Sequence, residues 1–425
     1  VTDDRDRRAV GPLHLLALGI NGIVGVGIFF APADVEARAP GAGAAIFAGT
    51  ALLLVPVALA FAVLGGRFDE DGGPVVFARE AFGALPAFVV GWIAYVSAIA
   101  SSAAITVGLT AAVAPLVGVA GTGGQRLAAT LLAGVLALIC AAGLRLSART
   151  WTALTVLKLL PLLALALVYL AGPTPTPPPA AQAAADGSRP SWQSAALVTT
   201  FAYQGFEIVP VLAGRARRPA TSVPFATVGS LAVAALLYMA LQAACASALP
   251  NLAASGAPLV ESALVLGGPG LAALVGAGTS LSALGIAFGM MAATPFYLAA
   301  LARVDRLGRG LDAVDDRGVA RRALFVTWAL VTALIQAGGR AELFALSSIA
   351  VLSQYLVTAA ALLALALRGR RGLGRRHAAL AVPAGAVALA LVSGASAREA
   401  AVAAAALAGG LVLRWAAHRR AVSSP

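Results

Sequence analysis

Charge is what this sequence has least of. Only 11% of its 425 residues are Asp, Glu, Lys or Arg, against about 25% in an average soluble protein. A soluble surface cannot be built from so few charges. Disorder is excluded as well, because disordered chains are polar and highly charged. Cysteine is nearly absent. Two residues, Cys140 and Cys245, rule out a disulfide scaffold or a Cys-rich metal module, and both read as small buried apolar groups. The three histidines, His14, His377 and His418, lie far apart, so no metal site is expected. No Walker A sequence is present, which argues against direct ATP drive. No Ser/His/Asp set or carboxylate pair suggests an enzyme, and no cofactor is expected. What is there is apolar: 60% of the chain is hydrophobic and the mean hydropathy is +0.90. The class that remains is an all-α polytopic membrane protein.

A bilayer core of roughly 30 Å takes about 20 apolar residues in a helix. Twelve stretches qualify: 12–36, 41–65, 86–114, 127–144, 150–171, 193–213, 224–248, 267–300, 322–337, 342–367, 378–394 and 399–416. None alternates as a barrel strand of about ten residues would. The segment Gly172–Pro190 is rich in Pro and Ala. It cannot continue a helix and reads as an extended external loop.

The arginines test this map. With the N-terminus in the cytoplasm, 24 of the 30 cations fall on inner segments and five (Arg38, Arg126, Arg189, Arg340, Arg398) on outer ones. The last, Lys158, lies inside a span. That asymmetry predicts twelve spans with both termini cytoplasmic. The net charge of +12 therefore marks orientation and contact with anionic lipid, as in the clusters Arg317–Arg322 and Arg368–Arg376, and not a nucleic acid partner. Arg5–Arg8 before an apolar run, with Ala37-Arg38-Ala39 after it, imitate a cleaved leader. The length of the run and its glycines favour a retained span. Val1 reads as an alternative start codon. With the Ala/Arg-rich composition it points to a bacterium, and so to the bacterial inner membrane.

Span 1 reads Gly19-Ile20-Asn21-Gly22-Ile23-Val24-Gly25-Val26-Gly27-Ile28-Phe29. Four glycines in nine residues weaken a helix by about 1 kcal/mol each. They serve either a break at Val24–Gly27, whose second half-helix would offer N–H groups to a carboxylate, or close helix packing. Span 6 holds Gln204, Gly205, Glu207 and Pro210 together at mid-depth. Pro210 removes an N–H. Glu207 is the one acid well inside a span, so it is functional unless it makes a structural hydrogen bond to a neighbouring helix. The two breaks lie about 180 residues apart. Corresponding breaks in two halves predict a transporter with inverted repeats, and five spans per half force opposite topologies. The expected organisation is an N-terminal tail (1–11), a first repeat (12–171), the external loop (172–192) and a second repeat (193–367). Two further helices (368–416) and a C-terminal tail (417–425) follow.

These motifs resemble those of the amino acid–polyamine–organocation (APC) superfamily of permeases over about residues 10–370. Gly25-Val26-Gly27-Ile28-Phe29 looks like the family's first break, and Phe201-Ala202-Tyr203-Gln204-Gly205-Phe206-Glu207 like its second. Phe68–Gly73, Phe82-Gly83 and Gly91-Trp92 resemble its first cytoplasmic loop and third span. Arg218-Pro219 through Val223-Pro224 resembles the loop after span 6. The chain departs from the pattern at Ala213-Gly214-Arg215 and at Pro295-Phe296, which bears on substrate and gating. The resemblance implies discontinuous helices 1 and 6 and a substrate midway across the membrane. The amides of Val26, Gly27 and Ile28, after Gly25, would hold an α-carboxylate. Carbonyls near Ile23 and over Phe201, Ala202, Tyr203 and Gln204, before Gly205, would accept from an α-ammonium. Phe201, Tyr203 and Phe206 form a gate or side-chain pocket, or are ordinary core.

Lys158 is the only lysine in the chain. Near mid-depth it needs a partner or a cavity, unless it snorkels to an interface. In proton-coupled members of the resembled family a lysine here stands where sodium-coupled relatives bind Na⁺, bonded to carbonyls at the first break and near span 8. Thr279, Ser280 and Ser282 of span 8 are the expected neighbours. Lys158 and Glu207 are thus the candidates for proton coupling. Ser97, Ser101, Ser102 and Thr106 of span 3 either line the path or pack helices. The function expected is proton-coupled amino acid symport by alternating access, with a neutral substrate unless Glu207 serves a cationic one. An amino acid or amine exchanger, an exporter and a transport-inactive sensor stay open. The oligomeric state is not legible.

Overall fold

The glycines that interrupt the first apolar run also interrupt its helix. In the computed structural model, which describes residues 10–68, 70, 72–113, 118, 121–143, 148–172, 191–305, 307 and 310–423, α1 (Pro12–Ile23) and α2 (Gly27–Glu36) are separate helices bent by 47°. α3 (Gly43–Gly65), the short α4 (Pro74–Phe82), α5 (Ala84–Val113), α6 (Gly121–Ala141) and α7 (Ala148–Ala171) follow. The next run is broken again, into α8 (Trp192–Tyr203) and a single turn, α9 (Ile208–Val211). The chain continues through α10 (Pro219–Ala248), α11 (Pro258–Asp305), α12 (Arg321–Ala337), α13 (Arg340–Leu367), α14 (Arg375–Val392) and α15 (Ala397–Ser423). Among the described residues there is no strand, only an isolated bridge between Val10 and Ala216.

Among the described residues, eight helices (α3, α5, α6, α10, α11, α13, α14 and α15) are long and apolar enough to cross a membrane, and the bent pair α1/α2 makes a ninth. α7, α8 with α9, and α12 occupy the other three apolar stretches. Leucines face outward on the outer helices: Leu138 of α6 is 72% exposed and Leu236 of α10 68%. In lipid this exposure is the expected state, since tails are as apolar as leucine.

Two boundaries differ most from expectation. α11 starts at Pro258, not near 267, and bends at Gly268, whose φ is 73°. The hydropathy signal therefore located the kink, not the helix start. The C-terminal segment 417–425 is helical through Ser423, because its Ala and Arg residues are strong helix formers. Residues 1–9 of the N-terminal tail, 173–190 of the Pro/Ala-rich stretch, and Arg145, Arg306 and Arg309 lie outside the described residues.

α10 packs along α3 and α1, α5 along α13 and α11, α11 along α7, and α14 along α13 and α3. The interior is aromatic, and its tyrosines are satisfied. Tyr95, Tyr203, Tyr238 and Tyr355 are fully buried, and each hydroxyl has a hydrogen-bond partner, as buried polar groups require.

Candidate functional site

The two helix breaks touch. A side chain on Gly205 would collide with the Gly22 carbonyl, and one on Gly27 would lie 2.9 Å from Ala202 Cα. Gly205 has φ 128°, a conformation that side chains resist. The glycines of span 1 thus do both things the sequence left open: they end α1 and admit the second break at backbone distance.

At the first break, Val24 leaves the helix with ψ 86°. The last carbonyls of α1 are orphaned by any such end. Two of them are taken from outside. Lys158 Nζ donates to Asn21 O at 2.8 Å, and Tyr238 Oη donates to Ile23 O at 2.8 Å. Lys158 is 5% exposed, so it does not snorkel. Val26, Gly27 and Ile28 open the first turn of α2 and are buried, and Gly25 is half-buried.

At the second break, Glu207 Oε2 accepts from Gly205 N–H at 2.8 Å and from Tyr355 Oη at 2.9 Å. The carboxylate therefore staples the unwound turn and ties it to α13. Gln204 turns to the same helix: its Oε1 accepts from Ser347 Oγ at 3.1 Å. Ser347 also pairs with Ser101 at 2.8 Å and Ser97 at 3.0 Å. Two of the span 3 hydroxyls thus join a polar seam reaching the break, while Thr106 bonds back to Ser102 O.

The three aromatics separate. Phe201 stacks on Phe344 with centroids 4.0 Å apart. Tyr203 bonds Phe47 O at 3.1 Å, and Phe206 packs against Phe61 and Tyr355. Both are 0% exposed and form core. Above the stack, Arg340 pairs with Asp34.

α11 approaches α7 where Gly278 faces Pro161, and approaches the first break where Ile286 faces Gly25. Between them, Ser282 is buried with no partner for its hydroxyl. Thr279 bonds its own helix at Gly276 O, and Ser280 is half-buried. Among the described residues no three His, Cys, Asp or Glu side chains group as metal ligands.

Sequence reasoning did not single out Tyr238, Tyr355, Ser347, Phe344, Asp34 or Arg340. Their signal is tertiary: Asp34 lies on the half-helix α2 itself and is met by Arg340, and the others reach a break or half-helix from a distant part of the chain.

Residues 10–409 match the family described as amino acid permease. A transporter of Mycobacterium tuberculosis is 29% identical over 373 residues, covering 86% of this chain and 82% of its own. The glutamate/serine transporter of Bacillus subtilis is 28% identical over 56% of this chain and 47% of its own. The serine/threonine exchanger of the same organism is 26% identical over 56% and 54%.

Proposed function

The chain belongs to the amino acid permease family, multi-pass membrane proteins of amino acid transport and not enzymes, and on that premise we propose that it is a proton-coupled secondary transporter working by alternating access. The observation that carries the coupling is the bond from buried Lys158 to Asn21 O. A fixed ammonium there replaces a bound Na⁺ and links α7 to the first break. Protonated Lys158 locks that contact, and its deprotonation loosens it. Substrate sits between the breaks, its carboxylate on the amides of Val26, Gly27 and Ile28 and its ammonium on carbonyls of Phe201–Gln204. Phe201 covers it. Ile23 O has one lone pair left beside the Tyr238 bond. Glu207 positions the second break, and Ser282 lies within reach of the ion site.

A five-plus-five inverted repeat of twelve spans, bacterial inner-membrane location and cytoplasmic termini complete the reading. The packing supports the repeat: α5 with α13 has its counterpart in α11 with α7, and α3 with α10 and α5 with α11 are their own counterparts. So do two positive-φ glycines, Gly83 and Gly268, each ending a short helix before a long one, about 185 residues apart. The likeness to a serine/threonine exchanger favours exchange as the second reading.

The test is uptake of a labelled amino acid panel into proteoliposomes with an inward proton gradient and no Na⁺. Accumulation above equilibrium is expected for at least one amino acid. Strict Na⁺ dependence would overturn the lysine assignment. Counterflow without gradient-driven accumulation would establish the exchanger.

A further inference from the structure

A cavity of about 510 Å³ lies away from the breaks, between α15 and the face formed by α5, α11 and α12. Trp92, Ile99, Leu298, Leu330, Val402 and Leu413 line it. Its polar wall atoms are spent: Trp92 Nε1 donates to Ala406 O at 2.8 Å, and Tyr95 Oη pairs with Thr327. The site thus offers only apolar contact, at a size typical of ligand pockets, roughly 300–1,000 Å³.

Two adjacent glycines of α15 differ in purpose. A side chain on Gly410 would strike the Trp92 ring, whereas one on Gly409 would meet nothing within 4 Å. Gly410 is thus explained by helix docking, and Gly409 is not. It leaves the cavity open.

The shape suits one kind of occupant. From Val402 to Leu413 the lining follows α15 for roughly 16 Å, about one leaflet of a hydrocarbon core of roughly 30 Å. The end beyond Leu413, cytoplasmic in the proposed orientation, is basic. On α15, Arg414 holds Asp305 at 2.7 Å and His418 Nε2 lies 3.6 Å from the same carboxylate, while Arg419 is exposed. Trp415 is exposed there under the Arg419 guanidinium at 3.9 Å, as interfacial tryptophans are.

We propose that this groove binds an acyl chain of an anionic phospholipid, whose headgroup rests on His418 and Arg419. The lipid completes the docking of α15 onto the transport helices.

The test uses the full chain reconstituted in phosphatidylethanolamine nanodiscs containing a phosphatidylglycerol with a diazirine in its acyl chain. Photolabel is expected on α15 and α12 peptides around Gly409 and Leu330. Unlabelled phosphatidylglycerol should compete at least fivefold better than phosphatidylcholine, and Gly409→Phe should cut the label at least fivefold while the protein stays monodisperse. Gly409→Leu is the second variant if the larger side chain impairs folding. Label spread evenly over α6 and α14, or unchanged in both variants, would overturn the site. Equal competition by the two lipids would overturn the headgroup assignment. Crosslinked dimers through α15 would make the groove an interface between copies and also overturn it.

Discussion

Arg340 Nη2 lies 3.1 Å from Asp34 Oδ1, and its guanidinium covers the Phe30 ring at 4.4 Å. The pair ties α2, the second half of the broken helix, to the start of α13. One turn further along α13, Phe344 stacks on Phe201. A half-buried pair of this kind matters most when one partner is removed, because the other charge is left without compensation. Asp34→Asn and Arg340→Ala should therefore loosen α2 from α13. The expected result is several-fold faster labelling of Ser347→Cys by a membrane-impermeant maleimide. Unchanged labelling would show that the pair does not close this side.

Lys158 reaches across from α7 to the end of α1 with one bond. Lys158→Ala should abolish gradient-driven accumulation in proteoliposomes and leave counterflow measurable. Accumulation at the wild-type level would remove Lys158 from coupling.

The crossing of the two breaks leaves no room for Cβ atoms. Gly205→Ala combines a left-handed backbone, costing roughly 1–3 kcal/mol, with a collision against Gly22. It should lower the unfolding temperature in detergent sharply or abolish expression. Gly49→Ala, on α3 with nothing within 4 Å, is the control. It should be neutral, or stabilise by up to about 1 kcal/mol.

Glu207 accepts two hydrogen bonds on one oxygen, and an amide oxygen can accept both. Glu207→Gln should keep the fold and counterflow, whereas Glu207→Ala should lose both. Tyr355→Phe should cost about 1.5–3 kcal/mol, the scale of a bond to a charged group. If Glu207→Gln folds yet loses accumulation while keeping counterflow, Glu207 also carries a proton.

In the loop before α12, Asp315 accepts from Arg317 N–H, Val319 N–H and Arg321 Nε, at 3.0, 2.8 and 2.5 Å. The bond from Arg321 above all, then that from Val319, holds its carboxyl below the usual range. A depressed folded-state value adds stability above the unfolded value of about 3.9 and loses it as pH falls. Amide exchange at Val319, corrected for intrinsic rate, should be flat above pH 5 and faster below pH 4. Asp315→Asn should flatten that rise.

Hydropathy sufficed to locate the apolar helices, and glycines in span 1 and the Gln204–Pro210 cluster in span 6 marked where two of them are interrupted, because lipid imposes one rule on every residue of a span. A charge, a proline or a run of glycines there stands out against that rule. Although the glycines of span 1 alone left a break and close packing both open, Lys158, Glu207 and the places of the two interruptions were legible. Their partners were not. Tyr238 lies in an unremarkable apolar run, yet its hydroxyl caps Ile23 O. The sequence could not say whether Tyr203 and Phe206 line a pocket or fill the core, nor that only Phe201 meets Phe344. Those choices depend on which helix faces which, and that is decided by backbone approach at Gly22, Gly27 and Gly205 and by the few polar groups that must find partners where there is no water.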